Sequence, residues 1–380
     1  MPDGNGINYP VSLINANFTC IARFNRQKSY TDEGASAIAT IRYLSKRTSL
    51  PLPEIYAFDL DPDNDIGAAV VLMERLPGKP LYRFFDDLSL DHKKAVITQI
   101  SDLIVQFASV KFDKIGCLTP EGRTGPLITR GRIIRDDNSI VLDTPARTGG
   151  PFENTIDYMH HHADPESAEL PELQDLYRET LKRLDASMEG RGHTMFDGPF
   201  AIRHIGPDGY GILFTQPSDG SPPKLTGLVD FEYTHSTPLW WVCDYPTLIQ
   251  DDHMEPECYE DNAVLRPYLV SEMLKRLPTA EARTTFIDSL NATSCLAIHE
   301  FSNCFMDGPL GEEARLFWGQ WYVKDMDGED DGLAPGWRGP DEYYGQDGWP
   351  GRKEALRWIR DSVLDFVARL KSFGHRSGKK

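Results

Sequence analysis

The chain has 380 residues, of which 40% are hydrophobic and 26% charged, and its formal net charge is −18. A chain of this length exceeds what one hydrophobic core usually serves, so two lobes or domains are expected, and the composition is that of an ordinary globular protein. The acidity excludes nucleic acid and anionic membrane as general partners, because phosphate surfaces reward clustered Lys and Arg.

In chain order, Met1-Pro2-Asp3-Gly4 shows neither a charged leader nor an apolar stretch, and no later run is long enough to cross a membrane, so a cytoplasmic location is expected. Strand-like runs at 11–14, 19–24 and 68–73 surround one helix near 35–47, which reads as a small mixed sheet. Leu76-Pro77-Gly78 interrupts it. Ser89 then caps a helix whose Val96, Ile100, Leu103, Ile104 and Phe107 recur at helical spacing, a stripe that packs into a core. Residues 120–150 lack periodicity and are expected to form a long surface connection before a helix starting near Asn154. Further helices are expected at 170–188 and 262–276. Residues 328–351 hold seven glycines with Trp337, Tyr343, Tyr344 and Trp349, which suits a lid or an anchored surface loop but not a helix. Leu356, Ile359, Val363, Phe366, Val367 and Leu370 form a last amphipathic stripe. The cysteines Cys20, Cys117, Cys243, Cys258, Cys295 and Cys304 have no paired spacing, so reduced thiols are expected rather than a zinc site.

The chemistry-bearing stretch is Phe200 to Phe214, which carries Arg203-His204-Ile205-Gly206-Pro207-Asp208 and Gly211-Ile212-Leu213, followed by an apolar run, Leu225 to Val229, closing on Asp230-Phe231-Glu232. An aspartate at a strand end, followed by an aromatic and a glutamate, suits Mg²⁺, which takes one or two carboxylates and leaves its other positions to phosphate and water. The same aspartate suits a hydrogen-bonding role, and one ligand alone makes a weak site. Glu232 and Asp244 read as caps or pins of the following loop.

These motifs resemble the aminoglycoside phosphotransferase and choline kinase-like family, particularly its fungal branch, whose loop runs His-x-Asp-(x)4-Asn-Ile-Leu ahead of a strand and Asp-Trp-Glu. The landmarks Ala39 to Leu44, Thr48 to Pro53, Val71 to Glu74 with Gly78 and Leu81, and Phe112 to Leu118 follow in family order. The resemblance implies an α+β, bilobal, protein-kinase-like fold, with a mixed-sheet small lobe at 1–75 and a mainly helical large lobe at 76–380. It implies ATP and Mg²⁺ as cofactors, although the residues retained make neither certain. Gly6 and Asn8 then belong to a hairpin over the phosphates, Arg23 is the phosphate cation, Met73 and Glu74 line the cleft, and Asp230 holds metal. Trp240, Trp241, Tyr245, Phe301 and Trp321, with Phe305, Trp318 and Tyr322, fall where the family walls its acceptor cleft, and His299 and Glu300 are possible polar groups there. Most of these aromatics also suit a core.

Three family groups are missing. The catalytic-base aspartate falls on Gly206, the metal-binding asparagine on Gly211, and the helix glutamate that fixes the phosphate cation on Ala37, with Glu33 one turn earlier as a possible substitute. His204 is architectural in the family. Beside Gly206 it is also one of the few groups able to carry a proton at neutral pH, and Asp208 is the other. Three functions stay open: a kinase fold repurposed for a cyclisation or acid-base step on a small organic molecule in specialised metabolism, a residual ATP-dependent phosphotransferase, and a non-catalytic pseudokinase that binds a partner. Oligomeric state is not legible.

Overall fold

The computed structural model describes residues 7–13, 18–25, 30–134, 140–162, 171–188, 198–204, 209–243, 245–249 and 258–291. Strands β1 (Ile7–Leu13) and β2 (Phe18–Asn25) form an antiparallel hairpin that sets Asn8 opposite Arg23. After helix α1 (Tyr30–Ser45), β3 (Ile55–Asp59) and β4 (Ala69–Glu74) complete an antiparallel sheet in the order β1-β2-β4-β3. Helix α1 starts five residues before the expected position, where Asp32 and Glu33 in its first turn favour the positive end of the helix dipole. Strand β3 has no counterpart in the sequence reading. It is a sheet edge, four of its five residues are exposed, and so it carries no buried alternation to detect.

The chain leaves the small lobe after Glu74. Gly78 has φ +111, and a β-carbon there would stand 2.8 Å from the Phe214 carbonyl oxygen, so this crossing requires glycine. Strand β5 (Lys79–Pro80) and a single 3-10 turn, Leu81–Arg83, lead into α2 (Leu90–Ser109). The Ser89 hydroxyl accepts from the His92 amide, and Val96, Ile100, Leu103, Ile104 and Phe107 are all buried, as the spacing predicts. Burying these five side chains contributes on the order of 10 kcal/mol of gross apolar stabilisation.

Short strands β6 (Lys111–Phe112) and β7 (Gly116–Cys117) follow. The expected surface connection at 120–150 is instead largely an antiparallel ribbon of β8 (Leu127–Ile134) and β9 (Ile140–Gly149). Its register shifts near Gly131 and between Gly131 and Ile133, which breaks the strict alternation that would have revealed it. The β-branched pairs Ile133-Ile134 and Ile140-Val141 around Asp136-Asp137-Asn138-Ser139 were the legible signal.

Helix α3 (Thr155–His162) is capped by Asn154, whose side-chain oxygen accepts from the Asp157 amide, and α4 (Pro171–Met188) follows. Then come β10 (Phe200–Arg203), β11 (Ile212–Thr215), β12 (Lys224–Leu228), β13 (His235–Thr237), α5 (Leu239–Val242), α6 (Tyr259–Arg276) and α7 (Ala280–Asn291). Two small sheets, β6-β10-β13-β7 and β12-β11-β5, hold the segment of interest against α2. No helix among the described residues is long and apolar enough to cross a membrane. Gly6, Gly206, Asp208, Asp244, the aromatics from Phe301 to Tyr322, His299, Glu300, the glycine-rich stretch 328–351 and the stripe 356–370 lie outside the described residues.

Candidate functional site

The hairpin register and the end of β12 bring one cation and two acids together. The Arg23 guanidinium lies 3.2 Å from Asp230 Oδ1 and 2.9 Å from Glu232 Oε1. The Tyr30 hydroxyl, at the start of α1, donates to Glu232 Oε1 at 3.1 Å. Both small-lobe elements are thereby tied to the turn that follows β12. Glu33, the possible substitute one turn before Ala37 on α1, is buried. Glu232, on the turn after β12, pairs with Arg23.

Burial penalises the charges on Arg23 and Glu232, and the outcome differs between them. On Arg23 two carboxylates outweigh the penalty and its pKa is raised. On Glu232 burial dominates, one cation does not compensate and Asp230 repels, so its carboxyl is pushed up to about 7. Tyr30 is also raised, by burial and by Glu232, and stays a neutral donor. Asp230 is the solvent-facing member, with half of its side chain exposed. Its backbone adopts φ +69. That left-handed conformation costs a non-glycine residue on the order of 1 kcal/mol, and Asp is among the residues that adopt it most readily.

Arg23, Met73, Glu74, Asp230 and Glu232 line one cleft of about 790 Å³. Tyr82 and Tyr210 also line it, with their rings stacked at 3.9 Å. These two residues and Tyr30 went unnoticed in the sequence, where isolated tyrosines in a turn and at a helix start carry no pattern. Glu74 is committed locally, its carboxylate accepting from the Glu54 amide at 3.2 Å.

His204 lies behind the same turn. Its Nε2 donates to the Val229 carbonyl at 2.9 Å, which fixes the tautomer, and its ring packs 4.6 Å from Phe231 and 6.1 Å from Phe107. Burial lowers its pKa, so the ring is held neutral. With Trp241 and Tyr245 it lines a separate cavity of about 90 Å³. Trp240 stacks on Trp241 at 5.6 Å, and Arg203 covers Trp241 at 4.0 Å, so this aromatic group sits in the large-lobe core. The residues expected to share one site therefore divide between an open cleft and a buried cavity, with the 229–231 backbone between them.

Gly211 packs directly against this arrangement. A β-carbon there would stand 2.7 Å from the Val229 carbonyl oxygen and 2.8 Å from His204 Cε1. For nucleotide and Mg²⁺, the fit is partial. Arg23 Nε is buried with no hydrogen-bond partner, a donor suited to an anionic oxygen, and Asp230 can offer an oxygen to one cation. No group of three His, Cys, Asp or Glu able to hold a metal occurs among the described residues, and Gly211 supplies no second ligand.

A small antiparallel sheet with one helix, a glycine crossing, a helical large lobe and an acidic turn facing the cleft define a bilobal, kinase-like protein. The chain belongs to the phosphotransferase enzyme family (APH), whose model matches residues 10–244. It is 32% identical over 84 residues to a subtelomeric hrmA-associated cluster protein of Aspergillus fumigatus, covering 22% of this chain and 16% of that protein. It is 34% identical over 85 residues to altered inheritance of mitochondria protein 9 of Meyerozyma guilliermondii, covering 22% of this chain and 14% of that one. The match thus spans less than a fifth of either relative's length. Among solved structures, aminoglycoside phosphotransferase APH(4)-Ia is similar at a TM-score of 0.46 and 12% identity, covering 85% of this chain and 89% of that one. The GDP and kanamycin complex of APH(2")-IIIa is similar at 0.45 and 14%, covering 86% and 90%.

Proposed function

We propose that this kinase-fold chain takes a small organic molecule in its interlobe cleft and carries out a proton-transfer or cyclisation step on it, as in specialised metabolism, rather than phosphoryl transfer. The observation that supports this most is the packing of Gly211. The family's second metal ligand belongs at this position, where a β-carbon would stand 2.7 Å from the Val229 carbonyl oxygen and 2.8 Å from His204, so a side chain enters only if the surrounding structure shifts. Phosphoryl transfer works by positioning and charge neutralisation, and this chain lacks the base, the second metal ligand and the helix glutamate together.

Acid-base chemistry has a better-matched group in Glu232. A carboxyl near neutral pH can give or take a proton over the working range, with Arg23 stabilising the ionised form and Tyr30 donating to it. Asp230, at the exposed lip, orients the ligand or holds its charge. His204 sets the turn from behind, and Asp208 remains a candidate on the loop outside the described residues. A radiometric assay with labelled ATP, Mg²⁺ and a panel of hydroxylated acceptors, including choline and aminoglycosides, tests the reading. It expects no transfer above background, and turnover in the usual kinase range of about 1 to 100 per second would contradict it.

A second reading, residual nucleotide binding, is favoured by the placement of Arg23, Met73, Glu74 and Asp230 on one cleft. It expects ATP with Mg²⁺ to stabilise the fold by about 2.7 kcal/mol at a hundred times the dissociation constant. No shift at millimolar ATP removes it.

A further inference from the structure

Helix α1 borders a second concavity, of about 520 Å³, on the far side of Ile38, a residue that lines both this groove and the cleft. Its walls are α1 from Ala35 to Tyr43, Lys46 and Arg47 just past the helix end, Phe58 of the edge strand β3, and the turn at Pro120–Gly122. The floor is apolar and close, with Ala35, Ile38 and Ala39 one turn apart, and Phe58 is 44% exposed beside it. The rim is basic. Arg42, Lys46 and Arg47 are exposed and enter no ion pair among the described residues, while Glu121 is the one carboxylate on the wall. Arg42 and Arg47 instead lie over rings, 5.2 Å from Phe58 and 3.6 Å from Tyr43.

Apart from these ring contacts and the bond from Arg47 to the Tyr43 carbonyl, nothing among the described residues engages these cations. Lys46 follows the last residue of α1, four positions after Arg42, so two like charges sit close together, and an exposed phenylalanine gains nothing from water. In a chain with net charge −18, three cations with no ion-pair partner among the described residues, set around an apolar floor, form a local field opposite in sign to the whole. We propose that this groove docks an acidic peptide segment of a partner protein, with an apolar anchor on Phe58, Ala35 and Ala39 and with carboxylates on Arg42, Lys46 and Arg47. The site is independent of the cleft chemistry proposed above, although α1 forms a wall of both.

The test is fluorescence anisotropy with three dye-labelled twelve-residue peptides: one of Glu and Asp with a central Trp-Leu pair, the same peptide with Lys for each acid, and polyglutamate. The anchored acidic peptide is expected to bind the full chain with a dissociation constant below about 100 µM at low salt, weakening as salt rises. Lys46→Glu, which removes no ion pair or hydrogen bond among the described residues, and Arg42→Glu should each weaken it about tenfold, as should Phe58→Ser, with circular dichroism unchanged in all three and the melting temperature unchanged in Lys46→Glu. Binding weaker than about 1 mM, equal binding of the Lys peptide, or polyglutamate binding as tightly as the anchored peptide would each overturn the proposal. So would indifference to Lys46→Glu, which keeps the test decisive even if Phe58→Ser misfolds.

Discussion

Replacing Glu232 by Gln isolates the electrostatics of the candidate site. The folded chain holds the Glu232 proton up to about pH 7, whereas the unfolded chain releases it near 4.5. Between those values the native state binds more protons than the unfolded one, so the Glu232 contribution to stability falls as pH rises through this window and is level above it. That separation corresponds to about 3 kcal/mol. The carboxyl is 7% exposed, so solvent screening takes little of this away. Gln keeps the oxygen that accepts from Tyr30 but cannot ionise. The variant should match wild type at pH 5 and exceed it by up to about 3 kcal/mol at pH 8. Urea unfolding of both proteins at pH 5, 6, 7 and 8 gives the difference curve, in which the other carboxylates cancel. A flat difference, or a variant that loses stability relative to wild type as pH rises, would refute the reasoning.

Three further outcomes follow from the same geometry. Gly211→Asn should destabilise by about 1 to 3 kcal/mol through contact with the Val229 carbonyl and His204, and should gain no phosphotransferase activity; a stable variant with new ATP turnover would show that the position accepts the family's ligand. Arg23→Met leaves Glu232 and Asp230 adjacent without their cation and should cost about 3 kcal/mol at pH 8 by chemical denaturation, most of it recovered when combined with Glu232→Gln; a double variant as unstable as Arg23→Met alone would separate the two residues. The His204 ring should stay neutral and protonated on Nε2 in nitrogen-proton correlation spectra at pH values where an exposed histidine is already charged, because burial lowers its pKa; titration at the ordinary value would place it in solvent.

The parts of the fold that announce themselves in sequence are those with a period or a cap. The α2 stripe from Val96 to Phe107 and the Ser89 cap were readable because a helix buries one face and needs a side chain at its first turn. Strand β3 and the β8–β9 ribbon were not, one because an edge strand exposes its side chains and the other because its register shifts. The site divides in the same way. Asp230, Arg23 and the cleft-lining Met73 and Glu74 were marked by family order. Glu232 read as a loop pin because its partners, Arg23 and Tyr30, lie about two hundred residues away and no local pattern links them. Trp240, Trp241 and Tyr245 were legible as an aromatic group but not as a buried one, since core and binding walls draw on the same residues.

The central claim, that the cleft does acid-base rather than phosphoryl chemistry, is tested most directly by mass balance. Purified protein with ATP and Mg²⁺ is incubated with a small-molecule extract of the producing organism and followed by liquid chromatography and mass spectrometry, with Glu232→Gln and Asp230→Asn as controls. The account predicts a compound converted to an isomer or a dehydrated product, independently of ATP and about a hundredfold more slowly in the Glu232 variant. A product heavier by one phosphoryl group, formed only with ATP, would contradict it.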